Sequence, residues 1–169
     1  AAGPAVAQIL TWNGNASGNW DTSTANWLAG AAPATYVSGD LVTFNDAASG
    51  FTTVNLTTSL TPNGLTVNNN AKSYTFNGSG SIDGTVALTK NGPGQLTIAN
   101  SGVNTFSGGV DILGGTVRIS GSADRLPTGS IVTLADVANT SLDLNNLNQT
   151  IQGLEGGGDH LFLPLQPPL

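Results

Sequence analysis

Residues 88–120 read LTKNGPGQLTIANSGVNTFSGGVDILGGTVRIS, and the fold follows from how this stretch is read. Residues 95–98 (QLTI), 109–112 (GVDI) and 116–119 (TVRI) alternate apolar and polar side chains. A period of two puts every apolar residue of a cluster on one face of a strand, leaving the other face wet. Between the clusters lie Asn91-Gly92-Pro93-Gly94, Gly108-Gly109 and Gly114-Gly115. Gly and Asn tolerate positive φ, and Asn also bonds its own backbone, so these are sharp bends. No segment places apolar residues at i, i+3, i+4 and i+7, so helices are not expected.

The same pattern extends in both directions. Residues 41–44, 53–56, 65–67, 74–76, 85–88, 131–134, 141–144 and 150–151 form further β clusters. Val67, Leu88, Ile112 and Leu134 stand about 21 to 24 residues apart, and Phe76, Ile98, Ile119 and Leu144 keep a similar beat. A unit of that length cannot bury its own apolar face and must stack on its neighbours. The chain therefore reads as all-β, a parallel β-helix or solenoid. Asn63-Gly64 and Asp83-Gly84, both hairpin-turn dipeptides, keep an antiparallel sandwich open as the alternative.

Composition narrows the function classes. Only 8% of the 169 residues are charged and the net charge is −6, so the chain cannot neutralise a run of phosphates. Nucleic acid is not an expected partner, and neither is an anionic membrane surface. The absence of Cys excludes disulfide scaffolds, Cys-based zinc sites and thiol catalysis. No apolar run is long enough for a spanning helix, so no membrane insertion is expected. Ala5-Val6-Ala7 has the shape of a signal-peptidase site and points to export.

Three regions are expected. Residues 1–40 hold all three Trp and few β clusters, suiting an N-terminal segment that caps the open end of a solenoid. Residues 41–155 carry the coils. Residues 156–169 begin with Gly156-Gly157-Gly158 and continue as an apolar, Pro-rich tail.

Leu88, Lys90, Gly92, Gly94, Leu96 and Ile98, then Asn104, Phe106, Ser107, Gly108 and Gly109, then Gly114, Gly115, Thr116 and Val117 form one extended motif. It resembles the passenger-associated repeat of bacterial autotransporters, also called the autotransporter-associated β-strand repeat. The opening Trp12-Asn13-Gly14, Asn19-Trp20-Asp21 and Asn26-Trp27 resemble, more loosely, the segment that precedes such repeats. Leu126-Pro127, Leu142-Asp143-Leu144 and residues 149–154 resemble the segment that follows. The resemblance implies a right-handed parallel β-helix, secretion or display at a bacterial cell surface, and no enzyme activity.

Candidate site residues divide by chemistry. Trp12, Trp20 and Trp27, interleaved with Asn, Asp and Ser, are candidates for a platform that stacks on the sugars of a polysaccharide or cell-surface glycan. Their structural alternative is to plug the end of the solenoid, where a large ring buries much area. Asp111 and Arg118, on expected neighbouring strands, are a candidate carboxylate–base pair for a polysaccharide lyase, against an ordinary surface ion pair. Asp40 and Asp46 flank a strand, and Asp143 lies within one. His160 has no convincing nucleophile for a triad. The calcium nonapeptide is absent from the sequence, so neither a metal nor a cofactor is expected. The first expectation is a non-enzymatic structural or adhesive module; an incompletely capped solenoid also predicts homo-oligomers by end-to-end stacking.

Overall fold

The computed structural model describes residues 6–156. The chain opens with β1 (Ile9–Trp12) and β2 (Asn19–Trp20), then doubles back through β3 (Trp27–Ala29) and β4 (Ala32–Ala34). The first full coil holds β5 (Leu41–Asn45), β6 (Thr53–Leu56) and β7 (Ser59–Leu60). The second holds β8 (Gly64–Asn68), β9 (Tyr74–Gly78) and β10 (Ser81–Ile82). Then come β11 (Leu88–Asn91) with β12 (Gln95–Ile98), and β13 (Val110–Ile112) with β14 (Thr116–Ile119). A fifth coil follows in β15 (Ile131–Leu134) and β16 (Ser141–Asp143), and β17 (Gly153–Gly156) starts another.

The strands stack as a parallel β-solenoid. One sheet runs β17-β15-β13-β11-β8-β5-β1-β3-β4, a second β16-β14-β12-β9-β6-β2, and a short third sheet pairs β10 with β7. Among the described residues only the β1/β3 and β3/β4 pairs are antiparallel. The hairpin sandwich is thereby ruled out except at the N-terminal end. β1 and β2 already belong to the two long sheets, so residues 6–40 supply a partial coil as well as a covering hairpin.

Register builds the core as columns. Val42, Leu65, Leu88, Val110 and Val132 lie in one inward column of the first sheet, each buried. Tyr74, Leu96, Val117 and Leu142 lie in a matching column of the second. Sequence spacing alone groups Leu88 with Val67 and Ile112. The ladder instead aligns Lys90 with Val67 and Ile112, so a lysine occupies an inward position of the core. The expected strand at residues 150–151 is likewise displaced, and its place in the ladder is taken by β17.

The glycines of the repeat are explained by close approach between coils. Gly92 sits at φ +79, and a Cβ there would strike the Asn69 carbonyl of the coil below. Gly94 faces the Asn69 side chain and the Lys72 carbonyl at 2.5 and 2.7 Å from the Cβ position, so this turn closes only without a side chain.

Candidate functional site

The three tryptophans are core residues. Trp12 and Trp20 are 0% exposed and Trp27 is 1% exposed. Trp27 meets Trp12 edge-on at 4.9 Å and Trp20 at 5.3 Å between ring centroids, and Phe44, Tyr36 and Phe76 complete the cluster. Trp12 Nε1 donates to the Phe51 carbonyl at 2.7 Å. No ring offers a free face to a pyranose, so the glycan platform drawn from the sequence gives way to the plug. The reason is positional. Here the antiparallel strands β3 and β4 take the place of a further parallel coil, and the three indoles pack against Phe44 of β5, at about 4–6 kcal/mol of transfer free energy each.

Asp111 and Arg118 do not meet across neighbouring strands. Asp111 lies on β13 of the first sheet, whereas Arg118 lies on β14 of the second and aligns with Asp143 on β16. Arg118 Nη1 stands 3.5 Å from Asp143 Oδ2, with 39% and 30% of the two side chains exposed. This is a surface ion pair worth under about 1 kcal/mol, supplemented by a hydrogen bond from the guanidinium to the Asn145 side chain. His160 lies outside the described residues.

The flanking aspartates are staples. Asp40, 2% exposed, accepts the N–H of Gln8 and of Val37, both at 2.8 Å. Asp46 receives the N–H groups of Asn70, Ala71 and Lys72 from the next coil. The N–H groups of Lys72 and Asn70 hold its pKa below the usual carboxylate value. Burial raises the pKa of Asp83, but the hydroxyls of Ser59, Ser81 and Thr105 outweigh it and bring the pKa below normal.

Sequence reasoning missed the most unusual group, because periodicity assigns no inward place to a lysine. Lys90 is 0% exposed, and its ammonium donates to the carbonyls of Asn91, Gly92 and Gly114 at 3.0, 2.7 and 3.1 Å. Burial pushes its pKa down to about 8. Two of those acceptors belong to its own turn and one to the coil above, so the ammonium ties adjacent bends together. Asn104 was visible in the motif, but its role was not. Its amide pairs reciprocally with that of Asn100 at 2.9 and 3.2 Å, accepts from the Ile82 N–H and donates to the Arg125 carbonyl. Three successive coils are thus joined through one buried amide pair, which is permissible in a core only because its hydrogen-bonding groups are used.

The outward faces are polar ladders, neutral over the first coils and charged over the later ones. Thr11, Thr43, Thr66 and Thr89 align in one column, which continues as Asp111, Thr133 and Glu155. Asn45, Asn68 and Asn91 form the next column. On the second sheet Thr53, Thr75 and Thr97 lead to Arg118 and Asp143. Among the described residues no group of three or more His, Cys, Asp or Glu is placed to hold a metal. No helix among them is long and apolar enough to cross a membrane. What the molecule presents is surface built on a rigid ladder.

Residues 88–119 match the family model described as passenger-associated-transport-repeat. The chain is also similar to the adhesin BmaC autotransporter of Brucella suis biovar 1 (strain 1330), at 37% identity over 94 residues. That alignment covers 56% of this chain and 3% of the adhesin. No solved structure matches. Lys90, Gly92, Gly94 and Asn104 each have a structural task in the stacking of one coil on the next, so motif and geometry agree: residues 88–119 form a passenger-associated repeat.

Proposed function

We propose that this chain is a non-enzymatic, extracellular adhesive or structural module, displayed at a bacterial surface as part of a β-helical passenger. The observation that supports the reading most is the uninterrupted parallel register from β5 to β17, which makes a stiff column with polar ladders outward. The similarity to an adhesin adds to it. Stacked ladders resist local opening and proteolysis. Beads coated with the folded protein adhere to cells or extracellular matrix above a bovine-albumin control if this reading holds. Adhesion no better than the control refutes it.

A further inference from the structure

Asparagine is followed by glycine at residues 13–14, 63–64, 77–78 and 91–92. Glycine has no Cβ to shield its nitrogen, so in each pair that nitrogen is a potential nucleophile towards the preceding side-chain amide. The fold treats the four pairs differently. Gly14 N–H donates to the Asn26 carbonyl at 3.0 Å, which occupies it. Asn77 stands in the ladder beside Asn55, with its Oδ1 buried. Asn63 leads into β8, and its own N–H is held by the Asp40 carbonyl at 3.0 Å. Among the described residues, only at Asn91 does the glycine N–H turn back to the asparagine's own side chain. Gly92 N–H donates to Asn91 Oδ1 at 2.9 Å, no main-chain acceptor takes it, and Asn91 is exposed to water.

The peptide group between Asn91 and Gly92 has a second distinction. Its oxygen accepts from the Lys90 ammonium at 3.0 Å, and the Gly92 carbonyl accepts from the same ammonium at 2.7 Å. A peptide nitrogen attacks as it gives up its proton, and the negative charge then spreads to the carbonyl oxygen of the same peptide. A cation already placed on that oxygen stabilises the charge. Lys90 is fully buried and has no carboxylate partner among the described residues, so neither water nor a counter-ion screens it.

We infer that Asn91-Gly92 is a self-modification site, at which the Lys90 ammonium promotes cyclisation of Asn91 to a succinimide and its deamidation. Rotation of the exposed side-chain amide presents Cγ to the Gly92 nitrogen. The nitrogen loses its proton to solvent and forms a bond to Cγ; the Cγ–Nδ2 bond breaks, and Nδ2 takes a proton from water and leaves as ammonia. A solvent water then opens the ring at either carbonyl, giving aspartate or isoaspartate. Nothing is oxidised or reduced, and Lys90 supplies charge without forming a bond. Isoaspartate lengthens the main chain by one methylene, at a turn where a Cβ on Gly92 would already strike the Asn69 carbonyl. Either product sets a carboxylate beside the ammonium that ties this turn to the Gly114 carbonyl of the coil above.

Incubation of the folded chain at neutral pH tests this, with peptide mass spectrometry to locate the loss of ammonia and isoaspartyl methyltransferase to label the product. Asn91 deamidates roughly tenfold faster than Asn13, Asn63 or Asn77, and in concentrated urea the four rates converge. Lys90→Met slows Asn91 by a similar factor while Asn63, the internal check on the fold, keeps its rate. If Lys90→Met does not fold, the comparison of folded with urea-unfolded wild type decides alone. The inference is overturned if folded Asn91 is no faster than the other three, if its lead persists in urea, or if folded Lys90→Met reacts at an undiminished rate.

Discussion

The first and last stretches of the described solenoid bury their side chains differently. At the N-terminal end the inward column meets an antiparallel hairpin and a cluster of three Trp, two Tyr and two Phe, all buried. Towards the last described residues burial is looser: Leu142, Leu144, Leu147 and Ile151 are only partly buried and Leu154 is 41% exposed. A coil in the middle is buried by its neighbours, so a residue's worth depends on its place in the stack more than on its type. Repeat proteins behave this way because each unit contributes an interface as well as its own stability.

That contrast can be broken most severely at the closed end. Trp27→Ala removes the indole that touches both other tryptophans, and urea unfolding records a loss of about 3–5 kcal/mol; a loss below 1 kcal/mol means the cluster does not cap the core. In the middle, Asn104→Leu strands the Asn100 amide, the Ile82 N–H and the Arg125 carbonyl. About 2–3 kcal/mol is expected from the same measurement, and a neutral substitution contradicts the amide pair. Within a single column, Val110→Ala costs about 1–2 kcal/mol and Leu154→Ala less than about 0.5 kcal/mol, although Leu is the larger side chain. Equal losses mean that position in the stack does not set burial.

Lys90 predicts a pH dependence that sharpens the comparison, since only the middle of the stack carries such a group. Its folded pKa of about 8 lies below the unfolded value of 10.5. The unfolded chain therefore binds more protons between those values, and stability rises as pH is raised through that window, by up to about 2–3 kcal/mol. Burial raises Tyr36 and Tyr74 from 10 to about 12, so their contribution is present below pH 10 and lost above it. Denaturation curves show a maximum near pH 10, and in Lys90→Met the rise from pH 8 disappears. An unchanged rise in that variant assigns it elsewhere. The smallest effect belongs to Asp143→Asn, under about 1 kcal/mol and weaker still in high salt.

Much of the architecture was legible because alternation fixes which face is buried and a beat of about 21 to 24 residues implies stacking, although the register, Leu88 on Val110 and Leu65, came only from the ladder. The site was less so. Trp spacing is the same whether rings line a groove or fill a core, and the hairpin of β3 and β4 that folds over them decides between the two. Arg118 and Asp111 are close in sequence, but the bend at Gly114-Gly115 sends them to different sheets. Lys90 escaped because hydropathy treats a charge as outward. The carbonyls that make it tolerable come from turns whose convergence depends on three dimensions.

The central claim is that successive coils stack in parallel and in register. Spin labels placed on the outward column, at Thr43 with Thr133 and at Thr11 with Thr133, test it most directly. Electron–electron distances of roughly 19 and 24 Å are predicted, growing by about 4.8 Å per coil. Distances that fail to increase with the number of intervening coils contradict the solenoid.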